Sequence, residues 1–394
     1  MELNALREHL LAEVRGQGGA TDPLVADALR VVPRHIFLPD LPPDAAYRDE
    51  PIVTKRDSHG QPTSSSSQPT IMAIMLDQLG VAPGHRVLEI GAGTGFNAAL
   101  LHQIVGPKGR VTSLDLDEDV VELAKDNLDA CGCTVTVLHA DGALGHPDGA
   151  PYDRIIATVG VSDLAPAWLE QLAPDGRIVV PLDLRGVQRS VVFERSVEGN
   201  GDHWTSRSAM PCGFMRMRGA LAGPEETYVL DKDAALTLSV PEARDLDVSA
   251  LRQVLAESPT ELDTGVSPSM AELFDGLSLW LAIREPRWFT MSESATATAP
   301  VLRDAPLSAP DTVVTAGLLD EAGLALLTTR DGELFVASHG SEDIAADLVK
   351  QVRAWDAAGR PGTPGLRIDA HPDHTGAGEF VIDKGHCRFV LSWP

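Results

Sequence analysis

From the N-terminus, apolar positions first recur at helical spacing. The pattern predicts helix from Asn4 to Val32, and in "TDPLVADALRVV" Thr21 or Asp22 can cap while Pro23 suits the first turn. "VPRHIFLP", between two prolines, reads as extended. Ile71 to Leu79 is apolar almost throughout and predicts a buried helix. From Arg86 onward short apolar runs alternate with helical patterns. Strands are predicted at "RVLEIG", "GRVTSLDLD", "TVTVLHAD", "YDRIIATV" and "GRIVVPL", and helices at "NAALLHQIVG", "EDVVELAKDNLDACG" and "APAWLEQLAPDG". That alternation makes a parallel sheet covered on both faces, a doubly wound Rossmann-like α/β domain. "QRSVVFERS" and "HWTSRSAMPCGFMRM" read as antiparallel strands closing its edge.

The rhythm breaks at "LAGPEET", Leu221 to Thr227. Beyond it lie two helical stretches, "DVSALRQVLAE" and "SMAELFDGLSLWLAIRE", and a loop, "ESATATAPVLRDAPLSAPDT". "GLALLTTRDGELFVASHG" predicts a hairpin turning at Asp331-Gly332. An amphipathic helix, "DIAADLVKQVRAWDAAG", and a last strand, "CRFVLSW", follow. The expected organisation is an α/β domain over 1–222 and a C-terminal α+β domain over 223–394. A chain ended near Gly223 is then expected to keep the ligand site of the first domain.

Composition narrows the chemistry. The 57 acidic and 32 basic residues give a net charge of -25, which repels phosphate backbones, so nucleic acid is not an expected partner. The N-terminal "MELNALREHLLAEV" lacks the apolar run of a signal peptide, and no apolar stretch is long enough to span a membrane. Cys131, Cys133, Cys212 and Cys387 form no C-x-x-C pair and suit reduced thiols, so a cytoplasmic location is expected and no metal site. His371 with His374 reads as a solvated turn.

The chemistry-bearing stretch is "VLEIGAGTGFN", with Gly91, Gly93 and Gly95 between a strand and a helix. A dinucleotide site wants G-x-G-x-x-G; here the spacing is G-x-G-x-G, preceded by Glu89, which favours a ligand without pyrophosphate. S-adenosyl-L-methionine fits. Asp115, with Leu116 beside it, ends the second strand roughly twenty residues after the last glycine, where a carboxylate accepts from ribose hydroxyls. Asp141-Gly142 follows the third strand, where an acid can accept from an adenine amine. "GQPTSSSSQPTIMAIML" raises a separate question: its serines read either as a flexible joint or as hydroxyls held over a reaction centre.

"VPRHIFLP", "AYRDEP", "SQP", "VLEIGAGTGFNAALL", "ADGALGHPDGAPYDRII" and "LAPDGRIVVPL" together resemble, in order, the motifs of protein-L-isoaspartate O-methyltransferases, over roughly Met1 to Gly219. The resemblance implies methyl transfer from S-adenosylmethionine to an aspartyl or isoaspartyl carboxylate of a peptide. It further implies that Thr63, Ser67 and Gln68 are the catalytic candidates, and that Glu89, Gly91, Gly93, Gly95, Asp115, Leu116, Asp141 and Gly142 bind the cofactor. A carboxylate with a reference pKa of about 3.9 is already ionised at neutral pH, so no catalytic triad is expected. The serine stretch is longer than the family's Gly-x-Gly-Gln-Thr-x-Ser-Gln-Pro, and repair enzymes of the family end near the position of Gly219. The extension, with the "RGVQRSVVFER" and "CGFMRMRG" segments before it, resembles the variants found with graspetides and lanthipeptides. That likeness implies esterification of one Asp in a cyclised precursor peptide, then aspartimide formation, with the second domain holding the peptide. The alternatives are a repair enzyme acting on isoaspartyl damage, and a binding protein that keeps the cofactor fold without turnover.

Overall fold

The computed structural model describes residues 2–58, 60, 62–196, 203–308, 311–321 and 323–393. Ala309 and Pro310, within the expected loop, therefore lie outside the described residues. Helices α1 (Leu3–Gly16) and α2 (Pro23–Val31) form as the apolar spacing demands, with the Asp22 carboxylate accepting the Leu24 N–H at 2.8 Å and Pro23 in the first turn. "VPRHIFLP" departs from expectation: Arg34–Phe37 is a 3-10 turn, not an extended segment. In such a turn residues i and i+3 eclipse, so Arg34 and Phe37 both point inward, whereas an extended chain would set them on opposite faces. After α3 (Pro43–Ala46) the strands β1 (Ile52–Arg56) and β2 (Pro62–Ser66) pair antiparallel, with Ile52 opposite Ser66 and Val53 opposite Ser65. The serine run is thus a strand that leads directly into α4 (Pro69–Leu79), not a joint.

The alternating region folds as β3 (Arg86–Ile90), α5 (Phe96–Val105), β4 (Arg110–Asp115), α6 (Glu118–Cys131), β5 (Thr136–His139), β6 (Tyr152–Ala157), α7 (Pro166–Gln171) and β7 (Leu172–Asp183). Then come β8 (Gln188–Arg195) and β9 (Trp204–Cys212). Strands β5, β4, β3, β6 and β7 lie parallel in that order; β8 and β9 add antiparallel. The chain moves outward from β3 to β5 and then crosses to β6 on the other side of β3. A crevice therefore opens at the carboxyl ends of β3 and β6.

A second sheet follows, from β10 (Glu226–Asp231), β11 (Leu236–Val240), β12 (Thr260–Val266), β13 (Trp288–Ser294), β14 (Leu307–Ser308), β15 (Thr312–Asp320), β16 (Gly323–Arg330) and β17 (Glu333–His339). The hairpin β16–β17 turns at Asp331-Gly332 as the sequence predicts, both residues having positive φ. Helices α8 (Val248–Ala256), α9 (Ser278–Arg284) and α10 (Glu342–Ala357) accompany this sheet, α9 continuing a π-helical turn over Glu272–Leu277.

The chain then returns. β18 (Arg367–His371), β19 (Phe380–Asp383) and β20 (Arg388–Ser392) extend the first sheet to ten strands, with Asp369 and Ala370 paired to Thr205 and Trp204 of β9. β9 is therefore not the closing edge, and a boundary at 222/223 does not leave the first sheet whole. The reason is packing: Ile368, Phe389 and Leu391 share one buried cluster with Trp168, Phe193 and Trp204. Arg189, buried on β8, donates to the Asp275 carbonyl (2.9 Å) and to Thr363 Oγ1 (2.6 Å), tying the first sheet to the π-helical turn before α9 and to the segment that leads into β18. Among the described residues no helix is long and apolar enough to cross a membrane.

Phe389→Ala should accordingly destabilise the fold by about 3–5 kcal/mol in chemical denaturation. A chain ended at Gly223 should fail to give a stable soluble protein; a truncated chain melting with the full-length one would contradict this topology.

Candidate active site

The chain must turn sharply on leaving β3. Gly91 has φ +99°, and a Cβ there would stand 2.8 Å from Thr158 Oγ1, so glycine alone fits. The next turn is pinned from β4, where Asp115 Oδ2 accepts the Gly93 N–H at 3.1 Å. The serine strand crosses above: a Cβ on Gly93 would meet the Ser65 carbonyl at 3.4 Å. Between the two lies a cavity of about 430 Å³, within the range of small-molecule sites, walled by residues 63–68, 91–94, 114–116, 158–159 and 211–218 together with several apolar side chains.

Of the residues named from sequence, Thr63, Ser67, Gln68, Gly91, Gly93, Asp115, Leu116 and Gly142 line this cavity. Glu89, Gly95 and Asp141 do not. Glu89 lies fully buried behind the turn, accepting from Asn97 Nδ2 (2.8 Å) and Ser113 Oγ (2.5 Å). Burial pushes its carboxyl up to about 7, against the lowering effect of those two donors. Gly95 starts α5 and lets it pack close to α6, since a Cβ would sit 3.1 Å from the Ala124 carbonyl. Asp141 accepts the Ala143 N–H (2.9 Å) and the Ala220 N–H (3.1 Å), so its carboxylate shapes its own turn and anchors the chain beyond Gly219.

Sequence reading missed several wall residues. Asn97 announces itself only as a lone polar residue in an apolar helix; its Oδ1 is buried without a partner, as is Thr63 Oγ1. The 211–218 segment reads in sequence only as the end of an edge strand; it reaches the site by leaving β9 at Cys212, held where the Gly160 N–H donates to the Met215 carbonyl and the Met217 N–H to the Gly160 carbonyl, both at 2.8 Å.

Two further features fix the walls. Asp49 accepts the Thr70 N–H (2.8 Å), Thr70 Oγ1 (2.8 Å) and Gln68 Nε2 (2.9 Å), so the start of α4 is already capped by a carboxylate. The Gln68 side chain is thereby held by Asp49. Lys55 on β1 reaches Asp117 (2.7 Å) and Asp119 (2.6 Å), while Arg218 reaches the same Asp117 at 2.9 Å. Arg218 first, and Lys55 with it, hold the Asp117 carboxyl below the usual range.

The family model of protein-L-isoaspartate(D-aspartate) O-methyltransferases matches residues 5–217. The chain belongs to this family. A protein-L-isoaspartate O-methyltransferase of Methanopyrus kandleri is 39% identical over 195 residues, 49% of this chain and 84% of its own. One of Methanococcoides burtonii is 37% identical over 188 residues, 48% and 89%. A solved protein-L-isoaspartate O-methyltransferase shares the fold over 98% of this chain and 99% of its own, with a TM-score of 0.53 and 23% identity. The family member is an enzyme, an S-adenosylmethionine-dependent protein carboxyl O-methyltransferase. The likeness to the solved structure extends past the position of Gly219 and takes in the second sheet.

Two outcomes follow from this geometry. Asp115→Ala should weaken S-adenosylhomocysteine binding by about ten- to a hundred-fold in calorimetry, the worth of hydrogen bonds to a charged group; unchanged affinity would remove Asp115 from the binding wall. Glu89 has a folded pKa raised from 4.5 to about 7, so the folded protein holds its proton more tightly than the unfolded chain. Stability from this group is complete below pH 4.5 and is lost as pH rises through 7, by up to roughly 3 kcal/mol. Glu89→Gln should therefore gain in melting temperature relative to wild type between pH 5 and pH 8, and a difference that does not change with pH would refute the assignment.

Proposed function

We propose that this enzyme methylates the free carboxylate of an isoaspartyl residue in proteins or peptides. One observation carries the reading: a run of hydroxyl-bearing residues, Thr63 to Ser66 on β2 and Ser67 just beyond it, faces the glycine turn across a single cavity. The wall fits S-adenosylmethionine, because the carboxylate of Asp115 can accept from ribose hydroxyls and two buried oxygens, Asn97 Oδ1 and Thr63 Oγ1, have no partner of their own. Those oxygens suit the ammonium end of the cofactor, and Leu116 and Gly142 its adenine end.

When bound, S-adenosylmethionine supplies a methyl group on a sulfonium, an electrophile that needs no acid catalysis. The protein's part is alignment. Ser67 donates its hydroxyl to the acceptor carboxylate and holds one oxygen toward the methyl group. No side chain acts as a base, since the carboxylate is ionised at neutral pH. The β1–β2 hairpin and the 211–218 segment keep water out, and orientation with water exclusion supplies the rate. Lys55 and Arg218, drawn to one carboxylate at the start of α6, hold those two covers in register.

A second reading is favoured by the unbroken serine run, Ser64 to Ser66 on β2 and Ser67 after it, all of which stand on the cavity wall. On that reading the acceptor is an ordinary Asp of a cyclised precursor peptide, the methyl ester then losing methanol to an aspartimide. Mass spectrometry distinguishes the two. With S-adenosylmethionine, a linear isoaspartyl peptide should gain one methyl group while the matching Asp peptide gains none. Methylation restricted to a cyclised peptide containing only ordinary Asp would replace the first reading by the second.

A further inference from the structure

We propose that Arg34 is a positioning residue for methyl transfer, fixing the Ser67–Gln68 peptide so that the Gln68 N–H faces the acceptor carboxylate. This rests on the carboxylate acceptor proposed above. Arg34 belongs to "VPRHIFLP", a motif to which the reaction as described gives no task.

The side chain is fully buried and lies over the Phe96 ring at 5.5 Å. Its guanidinium donates to the carbonyls of Arg48, Glu50 and Ser67, each at 3.3 Å, and to Ser66 Oγ at 3.5 Å. A guanidinium is a planar fork with donors in fixed directions, so it sets the spacing between the 48–50 segment and the end of β2. Nε is buried without a partner. Burying a cation largely on carbonyls is unfavourable, and an apolar side chain would fill the same space without that penalty.

The consequence falls on the cavity wall. Ser67 and Gln68 line the cavity and Arg34 does not. In a trans peptide the C=O and the following N–H point in opposite directions. With the Ser67 carbonyl drawn back onto Arg34, the Gln68 N–H turns toward the cavity. The rest of the α4 start offers little: Pro69 has no N–H, and the Thr70 N–H and the Gln68 side-chain amide are already given to Asp49. The Gln68 N–H and the Ser67 hydroxyl then stand, beside the Ile71 N–H of the first turn, among the donors this stretch can present to a carboxylate. Burial lowers the guanidinium only to about 10, with Asp49 opposing, so a positive charge stands behind these donors at neutral pH.

The test uses full-length protein and whichever carboxylate peptide the wild type methylates. Arg34→Lys keeps the charge and loses the fork. Its kcat should fall by about ten- to a hundred-fold, the cost of a small misplacement, while S-adenosylhomocysteine affinity by calorimetry stays at the wild-type value. An unchanged kcat overturns the proposal, and so does a kcat that falls only in step with cofactor affinity, the mark of a merely structural role. Should the variant fail to fold, wild-type amide spectra decide. Adding peptide to the S-adenosylhomocysteine complex should shift the Gln68 amide and leave Thr70 in place; a stationary Gln68 amide overturns the proposal. A wild type inactive on every carboxylate peptide defeats the functional reading and this inference with it. An active wild type with an unimpaired Arg34→Lys defeats the inference alone.

Discussion

The hydrogen bond from the Gly93 N–H to Asp115 joins the turn after β3 to the end of β4, and the geometry of the site descends from it. It holds the glycine turn open at the crevice where the chain crosses from β5 to β6, and it directs a carboxylate into the cavity. The turn can stand there only because Gly91 takes a conformation closed to other residues beside Thr158. Behind it Glu89, sealed from water, knits β3, β4 and α5 through Ser113 and Asn97. Two carboxylates that look alike in sequence thus do different work. One faces the ligand space, and the other supports the floor beneath it.

The other wall is held in place by main-chain pairing and polar contacts. β2 gains its place from its ladder with β1, from Arg34 gripping the Ser67 carbonyl, and from Asp49 capping α4. Lys55 and Arg218 bring two covers, distant in sequence, onto Asp117. The cavity is consequently enclosed by segments that depend on one another, as a reaction needing alignment and dryness requires.

This division explains what was legible in the sequence. The strands from Arg86 to Asp183 could be read because buried parallel strands are short apolar runs between helical patterns. The serine strand could not, since four hydroxyl residues carry no alternation of apolar and polar positions. Arg34–Phe37 looked extended because two flanking prolines say nothing about which side chains must be buried together. The return of β18–β20 to the first sheet was hidden for another reason: local pattern marks a strand but not its neighbour, and the pairing with β9 spans most of the C-terminal unit. In the site, the residues on the glycine turn and on β2 do share a cavity, while Glu89, Gly95 and Asp141 act behind or beside it. Acidity and position after a strand could not tell a carboxylate facing ligand from one holding a turn.

The central claim is that the glycine turn, the serine strand and the 211–218 segment wall one ligand site. Hydrogen exchange followed by mass spectrometry, with and without S-adenosylhomocysteine, tests it most directly. Protection is expected to rise together in residues 91–95, 62–68 and 213–218. Protection confined to the glycine turn, with the serine strand exchanging as in the free protein, would contradict the account.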